Sequence, residues 1–139
     1  MSKNQVLAGQ SPALSLPVPA LTRSGDPVLV GGLIGVCETD RTELVDGKQY
    51  GGVGNPDGYA SVAPDGVYSL KVPEVVSAAG TPIYIVAADN TLTTDDDTGA
   101  NPLFGHTVPV IQRGAATGAT KAVDSGGVEG VVNVKLVRI

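Results

Sequence analysis

The segment that decides the fold is residues 24–36, which read Ser-Gly-Asp-Pro-Val-Leu-Val-Gly-Gly-Leu-Ile-Gly-Val. Gly-Asp-Pro is a turn sequence, and the two apolar runs that follow it are separated by only two glycines. Such a pair of runs predicts a β-hairpin, with strands at 26–30 and 33–39. The segment carries no group suited to catalysis. It therefore favours a structural or binding module over an enzyme.

The composition predicts an all-β domain with many turns. Among 139 residues there are 19 glycines and 10 prolines, and both residue types disfavour helices. Apolar residues make up 42% of the chain but aromatic residues only 4%, so the core must consist of valine, leucine, isoleucine and alanine. This length is enough for one domain with a single core.

The charge and the apolar pattern exclude several partners. A net charge of −5 repels a phosphate backbone, so we expect no nucleic-acid partner. No apolar run approaches the roughly 20 residues of a membrane span, and the polar N-terminus does not resemble a signal peptide. The only cysteine, Cys37, lies in an apolar stretch, so we expect a buried thiol and no intrachain disulfide.

The N-terminal 22 residues form a distinct region in which prolines are spaced too closely for a helix. Leu14, Leu16 and Val18 alternate with other residues and can present one apolar face of an extended strand. Pro17 and Pro19 share the opposite phase, and their missing N–H groups suit an edge strand or an arm lying on another surface. Both interpretations stay open here.

The rest of the chain predicts short strands, at 59–63, 67–72, 82–87, 91–94, 103–111 and 128–139. The polar insert 40–57 predicts a surface hairpin or an ordered loop. Residues 73–80 are the only helix candidate, because they combine an early proline, an early acid and a final glycine. Residues 113–127 are small, polar and glycine-rich, which predicts a mobile loop.

Three segments carry residue types that could do chemistry, and each favours a structural interpretation. His106 has no local nucleophile signature beside it, so we expect a structural or surface histidine. The acids at 95–97 are consecutive, unlike the alternating ligands of a calcium loop. The glycine-rich segment 51–58 lacks the helix that a phosphate-binding loop must open. We therefore predict no catalytic residue, no cofactor and no metal.

The order of the motifs resembles one known family, the decoration, cement or head-stabilisation proteins of tailed-phage capsids. The resemblance covers residues from about 14 to 139 and rests on the order of individually weak motifs. These are an extended leucine- and proline-containing lead-in, the hairpin 24–36, and the segments 66–73, 80–84, 91–93, 102–105 and 132–136. The segments 40–59 and 113–127 look longer than in the family's usual compact form.

The resemblance implies a small β-barrel or β-tulip with turn-rich loops and at most one short helix. It divides the chain into an extended N-terminal arm or edge strand, 1–22, and a decoration domain, 23–139. It also implies a non-enzymatic protein of the virion, made in the cytoplasm of the bacterial host. Such a protein binds the outer capsid surface and stabilises contacts between subunits of the major capsid protein. A homotrimer is the expected state and a dimer the alternative.

The residues expected to contact the capsid or a neighbouring protomer are Leu14, Leu16, Pro17, Val18 and Pro19, because a proline-stiffened segment loses little entropy on docking. An extended arm of this kind can also add a strand to the sheet edge of a neighbour. The alternative function is a small-ligand or carbohydrate-binding β module. Such modules usually stack sugars on exposed tryptophan or tyrosine, and this chain has no tryptophan.

Overall fold

The computed structural model describes residues 4–9, 11–51, 54–74, 76, 78–108, 111–112, 115–116 and 130–137. Within these ranges the chain is all-β, and its two main sheets each form half of a small barrel. The helical content of the same ranges is one 3-10 turn at Asp97–Gly99. The predicted fold class is therefore confirmed.

The described strands, in chain order, are β1 (Gln5–Ala8), β2 (Leu14–Pro17), β3 (Pro27–Val30), β4 (Leu33–Cys37), β5 (Glu43–Val45), β6 (Lys48–Tyr50), β7 (Tyr59–Ala63), β8 (Gly66–Val72), β9 (Pro82–Ile85), β10 (Leu92–Thr93), β11 (Leu103–Thr107), β12 (Ile111–Gln112), β13 (Ala115–Ala116) and β14 (Gly130–Leu136). The first sheet has the order β1-β8-β14-β11-β9-β10, and the second the order β2-β7-β4-β3. β5–β6 and β12–β13 form separate two-stranded hairpins.

The main core lies between the two sheets and is built largely from aliphatic side chains around Tyr68 and Phe104. β14 lies inside the first sheet, between β8 and β11. Its Val132, Val134 and Leu136 are all buried in this core. The strand predicted at 128–139 is thus confirmed over Gly130–Leu136.

The hairpin predicted from 24–36 is present, with Val30 opposite Leu33 across the turn. Gly31 supplies the positive φ of +60° that this turn needs. On one side of the hairpin, Leu29, Ile34 and Val36 belong to or pack against the main core. Burial of that side alone accounts for only half of the apolar residues in the two strands.

The other side of the same hairpin belongs to a second apolar cluster. Val28 and Cys37 lie there with Val18, Ala60 and Val62. Strands that are buried on both faces read as continuous apolar runs, which explains the sequence of this segment. Burial raises the pKa of the Cys37 thiol to about 12, with smaller contributions from two nearby carboxylates, so the cysteine is an unreactive core residue, as predicted.

The short helix predicted over 73–80 is wrong. The described residues of this segment form bends and a turn, because its groups have partners on several other elements. The Glu74 carboxylate accepts hydrogen bonds from the hydroxyl of Thr93 in β10 and from the N–H of Thr94. Val76 is buried in the main core. The Gly80 N–H donates to the carbonyl of Thr107. Tertiary packing therefore overrides the weak local helix signal.

Other boundaries also differ from the prediction: β4 ends at Cys37 and β9 at Ile85, each two residues early. The strand expected over 103–111 is interrupted, since β11 ends at Thr107 and Ile111 begins the separate hairpin β12–β13. β13 pairs with β12 through Ala115 and Ala116, so these two residues of the predicted loop 113–127 are strand residues. Residues 113–114 and 117–127 of that prediction lie outside the described residues.

Replacing Gly35 by alanine should destabilise the second sheet. An added Cβ would meet the Val62 side chain and would lie 2.6 Å from the carbonyl oxygen of Ala63. Overpacking of this kind costs about 1–3 kcal/mol, and we expect a loss of that size in the free energy of unfolding measured with urea. Gly32→Ala is the matched control, because nothing lies within 4 Å of its added Cβ. Equal stability of the two variants would contradict this packing.

Candidate functional site

The predicted contact residues lie on and directly after β2, an edge strand of the second sheet. β2 pairs with β7, with Leu14 opposite Val62 and Leu16 opposite Ala60. Residues 14–17 thus form a strand of the domain's own sheet, which was one of the two interpretations of this region. Farther upstream, β1 pairs with β8 at the edge of the other sheet.

Exposure of the apolar side chains changes steadily along this strand. Leu14 is 40% exposed, whereas Val18 is only 6% exposed. Leu16 lies between these extremes and packs against the second cluster. Pro17 and Pro19 are exposed. The structure therefore brings the five predicted residues together, but it buries Val18 in the protein itself.

Sequence analysis missed Leu33, which is 44% exposed. Alternation along β4 places its side chain on the same face as Cys37, the face of the second cluster. β2 and β4 are both antiparallel to β7, so Leu14 and Leu33 both lie toward the end where β7 finishes. We call Leu14, Leu16, Val30 and Leu33 the outer apolar face. The signal for Leu33 was the continuous apolar run of β4.

The hairpin β5–β6 confirms the surface hairpin predicted within 40–57. Its turn residues Asp46 and Gly47 both have positive φ, as a tight two-residue hairpin turn requires. Leu44 is 68% exposed on this hairpin. The hairpin is thus a second place where an apolar side chain meets solvent.

Glu43, the first residue of β5, links this hairpin to the rest of the domain through ion pairs and a backbone hydrogen bond. Its carboxylate accepts hydrogen bonds from the guanidinium groups of Arg23 and Arg41, each at 2.6 Å, and from the N–H of Leu21 at 3.0 Å. The Arg23 guanidinium also lies 3.7 Å from the centre of the Tyr50 ring. The hydrogen bond from Arg23, followed by that from Arg41, holds the pKa of Glu43 below its ordinary value.

A cavity of about 530 Å³ lies where the two sheets approach each other beside β3 and β8. Asn4 lines it and ties the sheets together, because its side-chain N–H groups donate to the carbonyls of Gly25 and Ser69 at 3.1 Å each. Asn90 also lines the cavity, and its side-chain oxygen accepts the N–H of Leu29. Two lining side chains are thus engaged in holding the fold together.

His106 and the acids at 95–97 lie on the surface. His106 is exposed on β11, and the acids at 95–97 lie in exposed positions around the 3-10 turn. Within the described ranges, no group of three or more His, Cys, Asp and Glu side chains could hold a metal ion. The same ranges contain no helix that is long and apolar enough to cross a membrane.

The comparison with protein families decides the identity. A family model described as phage cement protein matches residues 8–122, which include both strands of the hairpin 24–36 and the whole of β2. The chain belongs to the phage cement protein family. Neither the curated proteins nor the solved structures contain a significant match. A cement protein is associated with the phage capsid, so this chain is a structural protein of the virion.

Replacing Glu43 by glutamine should lower the melting temperature of this cement protein in a pH-dependent way. Because the folded-state pKa lies below the ordinary value of 4.5, the ionised carboxylate stabilises the folded state. That stabilisation is fully present above the ordinary pKa and is lost as the pH falls through the folded-state value.

We therefore expect wild type to melt a few degrees above Glu43→Gln at neutral pH, with the difference shrinking below the ordinary pKa. Melting curves recorded by circular dichroism between neutral and acidic pH measure it. Asp46→Asn, which removes an exposed carboxylate from the same hairpin, is the control. A difference that is constant across the pH range would contradict the role given to Glu43.

Proposed function

We propose that this protein binds the outer surface of a tailed-phage capsid and stabilises contacts between neighbouring subunits of the major capsid protein. The family match over residues 8–122 carries the proposal. The all-β fold, with apolar strands buried in two clusters, supports it because a pre-organised module suits a permanent structural contact. Binding by a pre-organised surface loses less conformational entropy than binding by a flexible one.

We place the capsid or protomer contact on the outer apolar face together with the β2 edge. Leu14 and Leu33 are large apolar side chains left 40% and 44% exposed, beside side chains already buried in the second cluster. An apolar patch that continues a core is a typical protein–protein contact surface. Of the five residues predicted from the sequence, Leu14, Leu16, Pro17 and Pro19 are assigned to this contact, while Val18 supports it from beneath.

The two prolines add stiffness to the proposed contact. Pro17 ends β2 and Pro19 follows the buried Val18. The backbone at these two exposed prolines therefore has fixed φ angles. A surface whose backbone is already restricted loses little freedom when it docks. The same argument supports the N-terminal 22 residues as the part of the chain that reaches the partner.

We further propose that the protein acts as a homotrimer, with a dimer as the alternative. Several copies of one weak contact, held on one symmetric assembly, bind far more tightly than a single copy. An exposed leucine contributes only part of the roughly 1.5–3 kcal/mol available from full burial of its side chain. Multivalent attachment would convert such modest contacts into stable decoration.

The carbohydrate-binding alternative gains no support from the aromatic side chains. Tyr68 and Phe104 are fully buried, and the other three tyrosines are half-buried. One of these, Tyr50, is covered by the Arg23 guanidinium. Sugar stacking needs an open ring face, so these side chains do not favour a carbohydrate-binding function.

The double substitution Leu14→Asp/Leu33→Asp should weaken capsid binding while the protein stays folded. Both side chains are partly exposed in the free protein, so aspartate is tolerated there, but it would be buried without a partner in the complex. We expect at least about a tenfold loss of affinity per binding site, which corresponds to about 1.4 kcal/mol. The measurement is co-sedimentation with capsids built from the major capsid protein of the same phage.

Leu44→Asp on the hairpin β5–β6 is the matched control, because Leu44 is even more exposed but lies outside the outer apolar face. Binding that is lost in Leu44→Asp and kept in the double variant would move the contact to the hairpin. Failure of the wild-type protein to sediment with capsids would refute the proposed function itself. Circular dichroism melting curves establish that each variant is folded.

A further inference from the structure

The backbone groups of β2 that face solvent can be assigned from the hydrogen bonds of its neighbour β7. The carbonyl of Tyr59 accepts the N–H of Thr42 at 2.9 Å, and the carbonyl of Ser61 accepts the N–H of Glu38 at 2.7 Å. Tyr59 and Ser61 therefore direct their backbone groups away from β2. In an antiparallel pair the direction alternates, so Ala60 directs its groups toward β2.

The register then gives the free edge of the second sheet. Leu16 lies opposite Ala60, and the N–H of Val18 donates to the carbonyl of Gly58 at 3.1 Å. Residues 14, 16 and 18 thus use their N–H groups inside the sheet. The outward positions are Ala13, Ser15, Pro17 and Pro19, and the last two have no N–H at all. Two of four outward donors are missing.

The opposite edge of the same sheet, β3, is closed by a different device. The N–H of Cys37 donates to the carbonyl of Asp26 at 2.9 Å, so position 26 faces β4 and the positions that face outward are 27 and 29. Pro27 has no N–H. The N–H of Leu29 donates to the side-chain oxygen of Asn90 at 3.2 Å. Both outward donors in β3 are therefore absent or already used.

We propose that Pro17, Pro19, Pro27 and Asn90 close the two edges of the second sheet to strand addition by any other chain. A bare sheet edge is a template for pairing with a further strand, and prolines and covering groups block it. Copies of a protein that crowd on one assembly surface would otherwise pair edge to edge. Contacts at the second sheet then run through side chains and not through a shared sheet, contrary to the strand-adding arm expected from residues 14–19.

Opening the β2 edge tests this inference in purified protein without capsids, so its outcome is separate from that of the proposed function. The variant Pro17→Thr/Pro19→Thr restores two outward donors on an otherwise unchanged strand. Each restored hydrogen bond contributes about 0.5–1.5 kcal/mol to pairing. We expect self-association at concentrations about tenfold lower than for wild type, measured by sedimentation velocity, together with increased thioflavin T binding.

The control Pro12→Thr/Pro56→Thr changes two exposed prolines outside the strand and should associate like wild type. If the opened variant associates no more than this control, the inference is wrong for β2. Equal association of the two variants would mean that loss of proline stiffness, and not the restored N–H groups, causes the association.

The β3 edge provides a second test that does not depend on the folding of the proline variant. Asn90 has a φ of +58°, which glycine adopts freely and aspartate tolerates. Asn90→Gly removes the oxygen that covers the Leu29 N–H, whereas Asn90→Asp keeps an acceptor there. We expect Asn90→Gly to exchange the Leu29 amide hydrogen faster and to self-associate more than Asn90→Asp. Equal behaviour of the two variants would overturn the role of Asn90.

Discussion

The structure depends on the burial of both faces of the hairpin β3–β4. One face completes the barrel core against the first sheet, and the other supports a second apolar cluster around Val62 and Cys37. Neither face tolerates a polar residue, which is why the two strands read as unbroken apolar runs. Close approach at Gly35, where the neighbouring strand leaves no room for a Cβ, lets β4 and β7 pack at this short distance. At Leu14 and Leu33 the apolar surface of this sheet reaches solvent, and there we place the proposed contact.

Polar contacts hold the surrounding segments in fixed positions about this hairpin. Asn4 joins β8 to the turn before β3, Asn90 covers the β3 edge, and Glu43 pairs with two arginines at the base of β5–β6. Each of these side chains satisfies backbone or charged groups that would otherwise be left at a sheet edge or a loop base. The proposed closure of the second sheet's edges suits a cement protein that must attach to a capsid without attaching to itself in open-ended chains.

Much of this fold could be predicted from local sequence, and the failures have a common cause. The two-glycine turn at 31–32 and the apolar residues of 128–139 are local signals that gave correct strands. The prolines at 17 and 19 left two interpretations open, and the strand of the domain's own sheet is the one observed. The helix expected over 73–80 failed because the partners of Glu74 and Val76 come from distant strands, which no local pattern records. For the same reason the exposure of Leu33 and the burial of Val18 were not foreseen. Strand alternation gives the face on which a side chain lies, but the packing of other elements determines how much of that face is covered.

The most direct test of the central claim is hydrogen–deuterium exchange of the protein, free and bound to capsids, resolved by peptide. The claim is that the partner covers the end of the second sheet where Leu14 and Leu33 lie. Binding should then slow exchange in peptides that cover residues 13–19 and 28–35, while peptides from the hairpin β5–β6 keep their free-state rates. Protection confined to residues 43–50, or spread evenly over the chain, would contradict the account.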